Sequence, residues 1–143
     1  MSARFGLLQD LERPLHLFAN LGPNWFASIM GTGIVANAAA SLPLQFPGLR
    51  TAATGVWAFA TLMLIALSVA WGVHWTRHRD AARGHAHNPV MAQFAPPMAL
   101  MTVGAGALLL GKDWIGLTPA LTLDWTLWTA GTVLGLITTA WIP

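Results

Sequence analysis

The chain has 143 residues, of which 55% are apolar and only 8% are charged, and its mean hydropathy is +0.58. Seven Lys and Arg and five Asp and Glu cannot keep the surface of such a chain in water, so lipid must cover much of it. The net charge of +2, spread between apolar segments, excludes the concentrated basic stripe of a nucleic-acid-binding protein. The absence of Cys excludes disulfides, thiolate metal sites and a Cys nucleophile.

Charged residues mark the ends of four apolar segments. A spanning helix needs about 20 apolar residues, and lipid cannot satisfy the backbone of an open strand. We therefore predict transmembrane helices near residues 23–43, 52–75, 90–111 and 124–142. The predicted fold is an all-α polytopic membrane protein whose four spans form two hairpins.

Residues 1–22 form a tail before the first span. Phe5, Leu8, Leu11 and Leu15 fall at helical spacing among charged residues, which favours an amphipathic helix lying on the membrane surface. Most basic residues lie in this tail or between the second and third spans: Arg4, Arg13, Arg77, Arg79 and Arg83. Because cytoplasmic loops carry the excess of Lys and Arg, we expect a cytoplasmic N-terminus in a plasma membrane, such as a bacterial inner membrane.

The first span contains candidates for a solute path. Asn24, Ser28 and Thr32 are spaced by four and share a helix face, while Gly31 and Gly33 allow the close approach of a neighbour or solute. Every acidic residue is predicted to lie outside the spans or at their ends, which argues against the intramembrane carboxylates of cation carriers. Hydroxyls, amides and backbone suit an anion or a small neutral solute. Helix–helix packing explains the same residues equally well.

Four histidines follow the second span: His74, His78, His85 and His87. His74 and His78 share a helix face, so a metal site is conceivable. No Cys or paired carboxylate completes it, and we expect a solvated loop instead. No nucleophile–base pair or phosphate loop appears, so we expect neither enzymatic activity nor a cofactor.

The third and fourth spans carry packing signals. Pro96 and Pro97 lie about two turns into the predicted third span, where proline removes a donor and kinks a helix. Gly131 and Gly135 form a GxxxG pair in the fourth span, which is typical of helix packing. Six Trp residues lie near predicted span ends, as aromatic belts do: Trp25, Trp71, Trp75, Trp125, Trp128 and Trp141.

Two motifs resemble the tellurite-resistance/dicarboxylate transporter family, which includes slow-type anion channels and malate transporters. Residues 23–34, Pro-Asn-Trp-Phe-Ala-Ser-Ile-Met-Gly-Thr-Gly-Ile, resemble the start of its first span. The sequence His87-Asn88-Pro89-Val90, followed by Phe94 and Pro96-Pro97, is similar to the start of its third span.

The resemblance implies ten helices arranged as five hairpins around a pore that the odd-numbered helices line. It implies an assembly of identical subunits, a trimer, that passes chloride, nitrate or C4-dicarboxylates and is linked to tellurite resistance. On this reading the pore side comes from the first and third spans, at Asn24, Ser28, Gly31, Thr32, Gly33, Phe94 and Pro97. Since Ile142-Pro143 follows the fourth span without a polar tail, we expect this chain to be the N-terminal part of such a protein.

Three hypotheses follow from the sequence. The first is the N-terminal part of an anion channel or dicarboxylate carrier. The second is a non-transporting membrane interaction protein that binds partners through its Gly and Thr faces. The third is a metal or oxyanion resistance factor that uses the His-rich loop. Anion-selective conductance separates the first from the second.

Overall fold

The structure, a computed structural model, describes residues 22–77, 79–86 and 93–141. Every regular element in these ranges is helical. The helices are α1 (Phe26–Ser41), α2 (Leu49–Arg77), α3 (Arg79–Ala86), α4 (Ala95–Ile115) and α5 (Leu117–Trp141). A 3-10 turn, Pro23–Trp25, leads into α1. The predicted tail, apart from Gly22, lies outside the described residues.

Three of these helices, α2, α4 and α5, are long and apolar enough to cross a membrane. The chain is therefore an all-helical, multi-pass membrane protein. A helix lies at each of the four predicted positions, but α1 has only 16 residues beyond its 3-10 turn. At a rise of about 1.5 Å per residue, α1 is the shortest of the four.

The helix that contains the predicted fourth span, α5, begins at Leu117, seven residues before residue 124. Gly116 adopts a φ of 88°, which is accessible to glycine and reverses the chain within one residue. Asp124 therefore lies inside α5, half-buried, and a Cβ on Gly104 would lie 3.3 Å from its Oδ1. The bounds of the fourth span within α5, and the position of Asp124 at the end of that span, stay predictions.

The predicted kink at Pro96 and Pro97 is also wrong. The helix begins at Ala95, so both prolines occupy the first turn, where backbone N–H groups have no partner within the helix. The irregular part of α4 lies later, where Ala107–Gly111 form a π-helix. There the N–H of Lys112 donates to the carbonyl of Ala107, five residues earlier.

Among the four long helices, α1, α2 and α4 pack against one another around a shared core, and α5 packs against α4. The most extensive contacts are those of α1 with α2, of α1 with α4 and of α4 with α5. Within its most apolar stretch, α4 is 39% buried, against 17% for α2 and 11% for α5. The first and third predicted spans are therefore the inner helices, and the second and fourth are the outer ones.

Small residues allow the inner helices to approach their neighbours. A Cβ on Gly33 of α1 would lie 2.7 Å from Cγ2 of Thr102 in α4. A Cβ on Gly131 of α5 would lie 2.8 Å from the carbonyl oxygen of Pro97. Helices in lipid gain little from hydrophobic burial against each other and depend on such close packing. The packing role predicted for the GxxxG glycines is confirmed at Gly131.

The indole of Trp57 connects α2 to the irregular part of α4. It is only 7% exposed, and its Nε1 donates a hydrogen bond of 3.1 Å to the carbonyl of Val103. A Cβ on Gly106 would lie 2.7 Å from Nε1, and a Cβ on Gly111 would lie 2.7 Å from Cη2. The two glycines thus form the slot that holds the ring.

The guanidinium of Arg50 binds oxygen atoms at the end of the π-helix. Nη2 of Arg50, at the start of α2, donates to the carbonyl of Leu109 at 2.8 Å and to Oδ2 of Asp113 at 2.7 Å. Nε of Arg50 donates to the same carboxylate oxygen at 3.1 Å. The connections α1–α2 and α4–α5 therefore lie at the same end of the molecule, as alternating spans require.

Replacing Gly106 by Ala should destabilise the protein by about 1–3 kcal/mol, because the added Cβ overlaps the Trp57 ring in a packed interior. The matched control is Gly55→Ala in α2, where no atom lies within 4 Å of the added Cβ. This control should be neutral or more stable by up to about 1 kcal/mol. Thermal unfolding in detergent, followed by Trp fluorescence, measures both. Equal changes in stability in the two variants would show that Gly106 does not form part of a slot for the Trp57 ring.

The Arg50–Asp113 pair should have a small coupling energy. Both side chains are about half exposed, at 47% and 48%, so a double-mutant cycle with Ala should give about 0.2–1 kcal/mol, and less in high salt. Arg50→Ala should cost more than Asp113→Ala, since Arg50 also bonds to Leu109.

The matched control for that cycle pairs Lys112→Ala with Asp113→Ala. Lys112 is the neighbouring exposed cation, and no ion pair in the described part of the chain includes it. The Lys112–Asp113 pair should show no coupling energy. The role assigned to Arg50 would be refuted if the Arg50–Asp113 coupling energy did not fall in high salt, or if it equalled the value for Lys112–Asp113.

Candidate functional site

One face of the inner helices is open in the described part of the chain. We call it the open face, and it consists of an exposed stripe on each of α1 and α4. On α1 and its leading turn the stripe holds Asn24, Ser28, Gly31, Ile34, Val35 and Ala38. These residues recur every three or four positions, so they lie above one another on a single helix face.

The α4 stripe begins at Phe94, the residue that precedes the helix, which is 59% exposed. Met98 follows one turn later and is also exposed. A shallow groove of about 330 Å³ lies along these helices, lined by Ile34 and Asn37 of α1, by Met98 and Thr102 of α4 and by Trp128 of α5. The first and third predicted spans thus share one continuous surface.

The hydroxyls beside this surface all bond to backbone carbonyls of their own helix. Ser28 Oγ donates to the carbonyl of Trp25 at 2.7 Å, and Thr32 Oγ1 donates to the carbonyl of Ser28 at 2.7 Å. Thr102 Oγ1 donates to the carbonyl of Met98 at 2.6 Å. Such bonds are common for Ser and Thr within helices. They fix the rotamers of these side chains and leave only oxygen lone pairs facing outward.

Asn37 joins the two inner helices at the edge of the groove. Its Nδ2 donates to the carbonyl of Thr102 at 3.0 Å. Its Oδ1 is buried against Gly106 and has no hydrogen-bond donor in the described part of the chain. The Asn37 side chain therefore uses its Nδ2 donor and leaves its Oδ1 acceptor without a hydrogen bond among the described residues. A buried acceptor without a donor lowers the stability of the fold.

The predicted pore residues fall into two groups. Asn24, Ser28, Gly31 and Phe94 are exposed on the open face, and Thr32 is half-buried at its margin. Gly33 is buried against Thr102, and Pro97 is buried against α5, where its Cβ lies 3.6 Å from a Cβ placed on Gly135. These two residues set the distances between helices rather than contribute surface.

The open face carries no charged residue among those that the structure describes. The charges lie at the helix ends, where Arg50, Lys112 and Asp113 are exposed together. Asp124 lies against Gly104, between α4 and α5. A solute on the open face therefore meets dipoles and apolar surface.

The His-rich loop is only partly described. His74 is buried near the end of α2, whereas His78 and His87 lie outside the described residues, as does the side chain of His85. Within the described ranges, no three His, Cys, Asp or Glu side chains come close enough to hold a metal ion. The metal hypothesis therefore stays a prediction.

Sequence reasoning missed two residues that build the site. Trp57 is buried eight residues after the start of α2, unlike Trp25 and Trp141, which are exposed near helix ends as predicted. Its position five residues into the predicted second span does not distinguish it from a Trp at the membrane interface. Asn37 was not among the predicted site residues, although an amide within an apolar helix needs a partner.

The chain spans about a third of the length of the curated relatives it matches. It is 30% identical over 127 residues to an uncharacterized transporter of Methanocaldococcus jannaschii, which covers 89% of this chain and 35% of the relative. A second uncharacterized transporter of that organism is 26% identical, covering 80% of the chain and 32% of the relative.

A sulfite efflux pump of Arthroderma otae is 32% identical over 89 residues, which is 59% of this chain and 23% of the pump. No solved structure matches the chain. The voltage-dependent anion channel family matches residues 20–143, which include all five helices and the whole open face. The chain belongs to the voltage-dependent anion channel family.

Proposed function

We propose that this chain forms one side of an anion path through a membrane, as part of a channel or carrier. The observation that carries the proposal is the open face, which lies on the two inner helices of a chain from an anion channel family. The open face carries no charge and has cations at one end. Such a surface favours the passage of an anion over the tight binding of that anion.

The arrangement of helices supports a pore on this side. In the related family the odd-numbered helices line the pore, and here α1 and α4, the first and third predicted spans, lie together between α2 and α5. We propose four spans from α1, α2, α4 and α5, as two of the five hairpins in a ten-helix fold. The open face is then covered by the remaining hairpins rather than by lipid.

Within this path, Asn24, Ser28, Gly31, Thr32 and Phe94 contribute surface. Gly33 and Pro97 hold α1 and α5 close to α4, and so set the width of the path. A residue introduced at Gly31 projects into open space, since no atom lies within 4 Å of its added Cβ. Gly31 is therefore the position at which the path is easiest to obstruct.

The solutes proposed are C4-dicarboxylates and small inorganic anions, with a link to tellurite resistance. The relative named as a sulfite efflux pump adds sulfite to this class. We further propose a homotrimer in the plasma membrane with a cytoplasmic N-terminus, which follows from the family resemblance and from the basic residues near Arg77.

The test uses the protein expressed from its native gene, purified and reconstituted into lipid vesicles. An anion gradient should give a current whose reversal potential follows the anion rather than the cation. Gly31→Phe should reduce this flux at least about tenfold, because an aromatic side chain fills the path. The matched control is Gly55→Phe on the outer helix α2, where the space is equally open, and its flux should match that of the wild type.

Two results would overturn the proposal. One is a well-folded protein with no anion flux, which would favour the membrane interaction protein. The other is equal loss of flux in the Gly31 and Gly55 variants, which would place the path away from the open face.

A further inference from the structure

A carboxylate and two tryptophans of α5 border a small cavity, which we call the Asp124 cavity after its charged residue. We propose that it binds a small alkylated ammonium ion, such as tetramethylammonium or the trimethylammonium group of choline. The carboxylate of Asp124 would hold the charge, and the rings of Trp125 and Trp128 would contact the methyl groups. The proposal concerns a cation and does not rest on the proposed function.

The carboxylate of Asp124 has no partner among the residues that the structure describes. It is half-buried within α5, where Oδ1 lies 3.3 Å from the position of a Cβ on Gly104. In the same ranges, neither a hydrogen bond nor an ion pair connects it to another side chain, whereas Asp113 is paired with Arg50. A partly buried charge without a partner has lost hydration and gained no attraction in return. The charge of Asp124 is therefore available to a cation.

Asp124 lies level with the middle of a helix that is long and apolar enough to cross a membrane. It packs against Gly104, which is the tenth of the 21 residues in α4. At a rise of about 1.5 Å per residue, this level is about 14–16 Å from either end of α4. Ionisable side chains at such a depth face a partner or a cavity, and they mark sites where ions bind or pass.

Trp125 and Trp128 supply the other two walls of the Asp124 cavity. Their ring centroids lie 5.9 Å apart, and the ring planes meet at 78°. The cavity has a volume of about 180 Å³ and is lined by the two rings and by Asp124. Nearly perpendicular aromatic rings beside a carboxylate recognise alkylated ammonium ions, because the negative ring faces attract the cation.

The size and polarity of the Asp124 cavity select among cations. A volume of about 180 Å³ is below the range of about 300–1,000 Å³ for drug-sized ligands, so the cavity suits a group of a few heavy atoms. Sodium and potassium ions would exchange a full hydration shell for one carboxylate and two carbon rings, which is unfavourable. An alkylated ammonium ion is weakly hydrated, and its methyl groups contact aromatic rings favourably.

Binding is measured with radiolabelled tetramethylammonium and the protein expressed from its native gene, reconstituted in phosphatidylglycerol vesicles. These lipids carry no ammonium group. We expect saturable binding of one ion per chain. Choline should displace the label at least about tenfold more effectively than 3,3-dimethylbutanol, its uncharged isostere, because the attraction requires the charge. An excess of sodium ions over the label should not displace it.

Two pairs of variants test the residues. Asp124→Asn should weaken tetramethylammonium binding at least about tenfold, since it removes the charge and keeps the shape. The matched control, Asp113→Asn, removes an exposed carboxylate that pairs with Arg50 and should leave binding unchanged. Trp128→Leu should weaken binding about tenfold, and Trp128→Phe should weaken it less, because Phe keeps an aromatic face. Trp114→Leu, at an exposed position near the end of α4, should bind like the wild type.

The composition of the vesicles distinguishes two sources of the ammonium group. Equal tetramethylammonium binding in phosphatidylglycerol and phosphatidylcholine vesicles assigns the cavity to a free cation. Weaker binding in phosphatidylcholine vesicles means that a choline headgroup already occupies the cavity. Either result supports the ammonium chemistry proposed here.

Three results would overturn the proposal. The first is the absence of saturable binding in phosphatidylglycerol vesicles; if Asp124→Asn also lowers the unfolding temperature, a basic side chain elsewhere in the protein pairs with the carboxylate. The second is equal displacement by choline and its uncharged isostere, which would indicate a purely apolar cavity. The third is an equal loss of binding in the Asp124 and Asp113 variants.

The measurements remain decisive where a variant does not fold. If Asp124→Asn cannot be purified, the comparison of choline with its uncharged isostere on the wild-type protein decides alone. Binding is measured without an anion gradient, so its failure leaves the proposed anion path standing, and a failure of anion flux leaves the cation site standing.

Discussion

The close contact between α1 and α4 determines the position of every other long helix that the structure describes. Gly33 has no side chain, so the backbone of α1 comes within van der Waals distance of Thr102, and Asn37 adds a hydrogen bond at the same place. Helix α2 packs against both α1 and α4, and α5 packs against α4. A membrane supplies little hydrophobic force between helices. The close packing of Gly33 against Thr102 therefore has to provide the stability that the core of a soluble protein obtains from hydrophobic burial.

The π-helix of α4 is the second consequence of this packing. Trp57 needs both a slot for its ring and an acceptor for its N–H, and Gly106, Gly111 and the Val103 carbonyl supply them. Arg50 of α2 also donates to a carbonyl of this stretch, that of Leu109. Irregular backbone survives in such a chain because side chains from α2 accommodate it.

The sequence was sufficient to predict helices at four positions, the absence of charge from the inner surface and the family, because these depend on long apolar runs and on local motifs. It was insufficient at Asp124, where a charged residue was taken to mark the start of a span. The half-buried carboxylate of Asp124 lies opposite Gly104. Its burial depends on the packing of α5 against α4, which the sequence of α5 alone does not predict. The prolines at 96 and 97 show the reverse error, since their effect depends on where the helix begins, and it begins at Ala95 rather than near residue 90.

The candidate site was predictable as a set of residue types but not as a set of donors and acceptors. Spacing placed Ser28 and Thr32 on one face, and hydroxyls can serve an anion or a cation equally well. Only the 2.7 Å distances to the carbonyls of Trp25 and Ser28 show that their hydrogens are already used. Since a helix backbone accepts such bonds wherever Ser or Thr faces away from packing, the polarity of the face follows from helix geometry.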